Sequence, residues 1–310
     1  MVCRKLAVII GLLAALAPVA VASVSLTENF SSDPFTTWSF GVGDNSFSQF
    51  SWSPGALGVH LNSSLPTARF QRPLGVALID SDDFTLSTRF SFTITSAPGE
   101  QGMQMALGLV NGSLTGGDRT GTLANFGSDN TFHTVEFNYF PNVSTFFGAG
   151  PTLAPTVFGA QKNGGDAFGN FASIFGPGSD LGDNTNGLTA LPQNVTLQAL
   201  LSYSGATKTL TLTMSQVNPD NSLTLLDTGV PPMNLPAFGY DTNFPFSVDT
   251  LAIMAYHDGF TTTNDPSLVA DLTFRQLDFF TPVPEPSTMM LVGLGVVAAV
   301  LSGRRSRASK

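Results

Sequence analysis

The chain has 310 residues, 13 basic against 22 acidic, and a formal charge of −9. That balance excludes a protein that binds nucleic acid by neutralising phosphates. The single cysteine, Cys3, excludes an internal disulfide, so a fold of this length must rest on one well-buried core.

The first predicted element is a leader. Arg4 and Lys5 precede an apolar run over 6–16, broken only by Gly11, and Ala20 and Ala22 supply small residues for cleavage. The run is short of the roughly 20 residues that span a bilayer, so 1–22 reads as a secretory signal peptide rather than an anchor. Cys3 would leave with it. The body, 23–281, then holds seven basic and 21 acidic residues.

Within the body, apolar residues alternate in short runs and long helical periodicity is missing. Trp38 and Trp52 flank a Gly-Val-Gly-Asp-Asn stretch at 41–45, which predicts strand, loop and strand near a sheet edge. Their indole faces are candidates for stacking on sugars, the alternative being core packing. Asp82 and Asp83 read as a turn before the alternating strand 84–94. A second strand, 132–140, puts Val135, Phe137 and Tyr139 on one face. Glu136 and Asn138 then point the other way, to a special site. The stretch 148–191 is rich in Gly, Asn, Asp and Pro and predicts a long loop. Strands at 195–203 and 208–214 predict a hairpin, with Gly205 at the turn to accept a positive φ. Strands at 248–255 and 270–280 complete an all-β, antiparallel β-sandwich jelly roll.

The C-terminus mirrors the leader. Pro284-Glu285-Pro286-Ser287 precedes an apolar run over 289–301, followed by Arg304, Arg305 and Arg307. Basic residues after an apolar helix stay on the cytoplasmic side, which leaves the body outside. This tripartite tail, 282–310, resembles the PEP-CTERM sorting signal. The resemblance implies an exported surface or extracellular protein, held transiently in the inner membrane. An exosortase would cut near Pro284, Glu285 and Pro286, in a cell that makes exopolysaccharide.

The body resembles the legume-type lectins of the concanavalin-like class. The strand at 84–94, the Glu136-to-Asn138 strand, the Tyr203-Ser-Gly-Ala-Thr-Lys208-Thr-Leu hairpin and the last two strands follow that family's order. The resemblance implies glycan binding beside a Ca2+ site. Its ligands would be Glu136, Asn138, the Phe140 carbonyl and Asn142. The glycan would meet Gln101, Gly102 and Asn142, with Trp38 and Trp52 as stacking candidates. Three departures matter. Asn138 stands where the family has a bridging Asp, Gln101 stands where it has a sugar-holding Asp, and neither Asp nor His occurs between Asn142 and Gln161. A two-metal site is therefore not expected. What remains open is one Ca2+ site, completed by Asp166, Asp180 or Asp183, or ordinary strand hydrogen bonds at Glu136 and Asn138.

Catalysis is not expected. Retaining glycoside hydrolysis needs two carboxyl groups about 5 Å apart. The body's glutamates, Glu28, Glu100 and Glu136, include no two on one strand, and adjacent Asp82 and Asp83 would point to opposite faces. His60, His133 and His257 lack metal-ligand spacing, and no Gly-x-Ser-x-Gly elbow is present. The expected function is glycan binding or a structural part of an exopolysaccharide layer, the alternative being an adhesion module that meets proteins.

Overall fold

Alternating apolar and hydroxyl-bearing residues build the walls of this molecule. A computed structural model describes residues 21–40, 47–62, 68–96, 103–113, 133–140, 152–162, 166–171, 190–238, 240, 242–243, 245–257 and 269–284. The chain divides into a unit at Ser25–Phe280 and a second unit of Met1–Val24 with Thr281–Lys310. Of the second unit, only 21–24 and 281–284 are among the described residues. The rest of the predicted signal peptide, the apolar tail, Glu285 and Pro286 lie outside them. No helix among the described residues is long and apolar enough to cross a membrane.

The strands are β1 (Val21–Glu28), β2 (Ser39–Phe40), β3 (Phe50–Ser53), β4 (Ala56–Asn62), β5 (Ala68–Ile79), β6 (Phe84–Ser96), β7 (Met103–Val110) and β8 (Thr134–Phe140). They continue as β9 (Thr152–Lys162), β10 (Asp166–Phe171), β11 (Leu197–Ser204), β12 (Thr209–Val217), β13 (Leu223–Leu225), β14 (Met233–Asn234), β15 (Ser247–His257) and β16 (Val269–Pro284). Sheet A runs β13-β12-β11-β6-β16-β4-β3, with β1 on β16 and β14 on β12. Sheet B runs β10-β9-β8-β7-β15-β5-β2. The paired strands whose register is given are antiparallel. The predicted all-β sandwich is the observed fold.

Sheet A follows its sequence pattern closely. β4 and β11 alternate buried and half-buried residues along their length. Leu197, Ala199, Leu201 and Tyr203 of β11 point inward, as do Leu210, Leu212 and Met214 of β12. Each such leucine or methionine stabilises the fold by about 1.5–3 kcal/mol when fully buried. The sheets meet through aromatic rings. Phe90 of β6 lies 6.4 Å from Phe137 of β8, and Phe92 lies 5.5 Å from Tyr139.

The predicted hairpin forms, with Leu197 opposite Gln216 and Ser204 opposite Thr209. Its turn differs from expectation. The positive φ falls on Lys208, at 52°, not on Gly205. Gly205 is needed because a Cβ there would collide with the Ser81 carbonyl group. Its amide donates to Asp83 Oδ1 at 2.7 Å, and Lys208 Nζ donates to the Asp80 carbonyl oxygen at 2.7 Å. Tyr203 Oη donates to that same oxygen at 2.8 Å, so the turn is fastened to the segment before β6. Asp82 caps its own turn by accepting from the Ile79 amide, as the sequence suggested.

The expected loop over 148–191 is corrected in part. It contains β9 and β10, paired with each other and, through β9, with β8. Pro155 inside β9 removes a backbone donor, and the glycines weaken the strand pattern, which hid both strands.

Candidate functional site

The β8 strand has two kinds of face. Phe137 and Tyr139 meet rings of sheet A, so Glu136 and Asn138 face outward from the sandwich. Cross-strand register extends this outer surface over the neighbouring strands. One row reads Gln71 of β5, Ala252 of β15, Gly108 of β7, Glu136 and Thr156 of β9. The next reads Arg69, Ala106 and Asn138, joined in register through backbone positions 254 of β15 and 154 of β9. Small residues stand at 106, 108 and 252, and Ala106 and Ala252 form a buried apolar cluster with Val110.

An outward face on a sandwich is normally wet, but this one is buried. Glu136, Asn138, Thr134 and Thr156 are each 0% exposed. Burying polar atoms costs free energy unless they are hydrogen-bonded. Asn138 meets that condition by donating from Nδ2 to Glu136 Oε1 at 2.9 Å and to Thr156 Oγ1 at 2.8 Å. The amide is oriented with its nitrogen toward a carboxyl oxygen, a donor set against an acceptor. Gly108 makes the arrangement sterically feasible, because a Cβ there would strike Glu136 and the Val135 carbonyl.

The outer face ends in an open hollow of about 450 Å³, lined by Gln71, Pro73, Gly75, Asp249, Thr250 and Gly112 among others. A bulge makes it. Leu78 stands opposite Val248 and Pro73 opposite Thr250, so residues 74–77 of β5 face the single residue Asp249. Gly75 has φ of 76°, which suits glycine at such a bulge. Asp249 Oδ1 accepts from the Gly112 amide and from Thr250 Oγ1, both at 2.8 Å. Nearby, His133 Nδ1 accepts from the Ser247 amide at 2.9 Å, and the Asn111 amide donates to the His133 carbonyl at 2.7 Å. Burial pushes the His133 imidazole below its ordinary value, because charge is disfavoured there.

The residues expected from the sequence are distributed unevenly. Glu136 and Asn138 are brought together. Phe140 ends β8, while Asn142, Gln101 and Gly102 lie outside the described residues. Trp38 is 4% exposed and stacks on Phe70 at 5.2 Å, so its ring is engaged in packing. Its Nε1 donates to Glu28 Oε2 at 3.2 Å. Trp52, on edge strand β3, is half-buried and donates from Nε1 to the Phe30 carbonyl at 2.8 Å. Neither tryptophan lines the hollow. Sequence reasoning missed Gln71, Gly108, Thr156 and Asp249. Gly108 inside an apolar strand was the available signal of a close approach.

Ca2+ takes about six to eight oxygen ligands. The described donors do not converge in that way. The Asn138 amide nitrogen, not an oxygen, is turned to the Glu136 carboxylate. Among the described residues, no group of three or more His, Cys, Asp or Glu side chains gathers as metal ligands.

Residues 282–306 match the PEP-CTERM protein-sorting motif, so the chain carries the sorting signal of an exported protein. No curated protein matches the chain in sequence. Among solved structures, the chain is similar to lectin II from Ulex europaeus, at 13% identity and a TM-score of 0.48, over 84% of this chain and 98% of that one. It is similar to winged bean acidic lectin complexed with methyl-alpha-D-galactose, at 12% identity and a TM-score of 0.47, over 84% and 99%. A third is peanut lectin with a 9mer peptide, at 14% identity and a TM-score of 0.45, over 84% and 97%.

Proposed function

We propose that this chain is a surface or matrix protein that binds a glycan on the outer face of sheet B. The observation that carries the proposal is the open hollow beside Asp249, where Gln71, Ser113, Asp249 and Thr250 supply polar groups. A hollow with few fixed polar groups suits a polyhydroxylated ligand. The Asp249 carboxylate would accept from sugar hydroxyls, and Gln71 can both donate and accept. Gln101, Gly102 and Asn142 are further candidates for contact. Trp38 is left out, because its ring is buried.

In this account, 1–22 directs export, an exosortase processes the tail near Pro284, Glu285 and Pro286, and the partner is exopolysaccharide or another glycan. The role is binding rather than catalysis. Asp82 and Asp83 serve turn contacts, and Glu136 is bonded to an amide rather than set across a cleft from a second acid. The test is a glycan array probed with the intact chain, in Ca2+ and in EDTA. Binding that Asp249→Asn weakens about tenfold or more supports the assignment. No binding by a folded sample leaves a structural or adhesion module as the account.

A further inference from the structure

We infer that the Asn138 side-chain amide takes the place of a cation, so the Glu136 site is held together without Ca2+. The legume-lectin resemblance calls for two acids, two residues apart, on this face of β8. Such a pair would put two buried carboxylates side by side, and like charges so placed require a cation or a proton between them. Here the second acid is an amide. One hydrogen of Nδ2 goes to Glu136 Oε1 and the other to Thr156 Oγ1, at 2.9 and 2.8 Å. The donor thus lies on the carboxylate, where the resemblance would have set a second acid.

Two features support an arrangement built for the amide. Thr156 stands directly opposite Glu136 on β9, where its hydroxyl oxygen can receive the second N–H. Gly108 stands opposite Glu136 on β7, where a Cβ would displace the carboxylate stem. All three polar residues are 0% exposed, so the contacts are made away from bulk solvent. The inference is independent of glycan binding. Its test uses no sugar, so the two can fail separately.

The experiment is thermal unfolding of the intact chain in millimolar Ca2+ and in EDTA, for the natural chain, Asn138→Asp and Glu136→Gln. The natural chain is expected to melt within ~1 °C in the two conditions. Asn138→Asp is expected to melt about 5–10 °C lower in EDTA and to be restored by Ca2+, since it recreates a buried acid pair. A Ca2+-induced rise of several degrees in the natural chain, lost in Glu136→Gln, would overturn the inference. So would an Asn138→Asp chain that is equally stable and indifferent to Ca2+. If Asn138→Asp does not fold, the comparison of the natural chain with Glu136→Gln decides. A rise that survives in Glu136→Gln places Ca2+ elsewhere and supports the amide as the partner of Glu136.

Discussion

The two sheets carry the same kind of strand but treat their outer faces differently. On sheet A, β4 and β11 alternate strictly between buried and half-buried positions, and the outward residues include His60, Asn62, Gln198, Ser202 and Ser204. On sheet B, the side chains described from 134 to 139 of β8 are buried on both faces. Sheet A behaves as a wall with one dry side. Sheet B spends its second side on a polar cluster, Glu136, Asn138 and Thr156, and on the hollow beside Asp249. A fold that needs only a core has no use for buried carboxylate and amide groups on its outside. This difference is why the functional assignment falls on sheet B.

The sharpest way to break the comparison is with glycines. Gly108→Ala on sheet B would drive a Cβ into the Glu136 stem and backbone, with an expected loss of about 3 kcal/mol. Gly58→Ala on sheet A would meet first the Ser51 hydroxyl, which can turn away, so the change is expected to stay within about 1 kcal/mol. Chemical denaturation of both variants checks the pair. Equal losses would remove the distinction between the faces.

Polar contacts give the next test. Asn138→Ala removes the donor from buried Glu136 and Thr156 and should cost about 1–3 kcal/mol. His60 and Asp271, an exposed pair at 2.8 Å on sheet A, should cost at most about 1 kcal/mol when His60→Ala breaks them. A double-mutant cycle at each site would measure the two couplings on one scale.

The smallest expected effect is a pH dependence at the hollow. His133 binds its proton less readily folded than unfolded, because burial disfavours the charged form. Below the ordinary value of 6.5, the unfolded chain therefore takes up the proton first and stability falls. The stabilisation from neutral His133 is fully present above that value and is lost as pH drops from it toward the lower folded value. Protonation at Nδ1 would also break the bond from the Ser247 amide. Melting curves between pH 7.5 and 5 should show a decline that His133→Gln reduces.

How far the sequence foretold these features depends on where each one is encoded. The β11–β12 hairpin was legible because period-two alternation and its turn lie within one local stretch. The inward set on β8 was legible for the same reason, and it set Glu136 and Asn138 apart from that face. Their bond to Thr156 was not legible, since Thr156 sits in a strand hidden by Pro155 and neighbouring glycines. The hollow was hidden as well, because a bulge in β5 is defined only by its partner β15. Trp38 shows the limit of residue type alone. Its indole could face sugar or core, and only the position of Phe70 decided for the core.

The most direct measurement is one glycan array probed in parallel with three forms of the intact chain. The natural chain would be set beside Gln71→Ala/Asp249→Asn on sheet B and Thr211→Ala/Thr213→Ala on sheet A, each confirmed folded by its melting curve. The account predicts that the sheet B variant loses at least about tenfold in affinity while the sheet A variant binds like the natural chain. Unchanged binding by the sheet B variant, or a loss confined to the sheet A variant, would contradict the assignment of the ligand face.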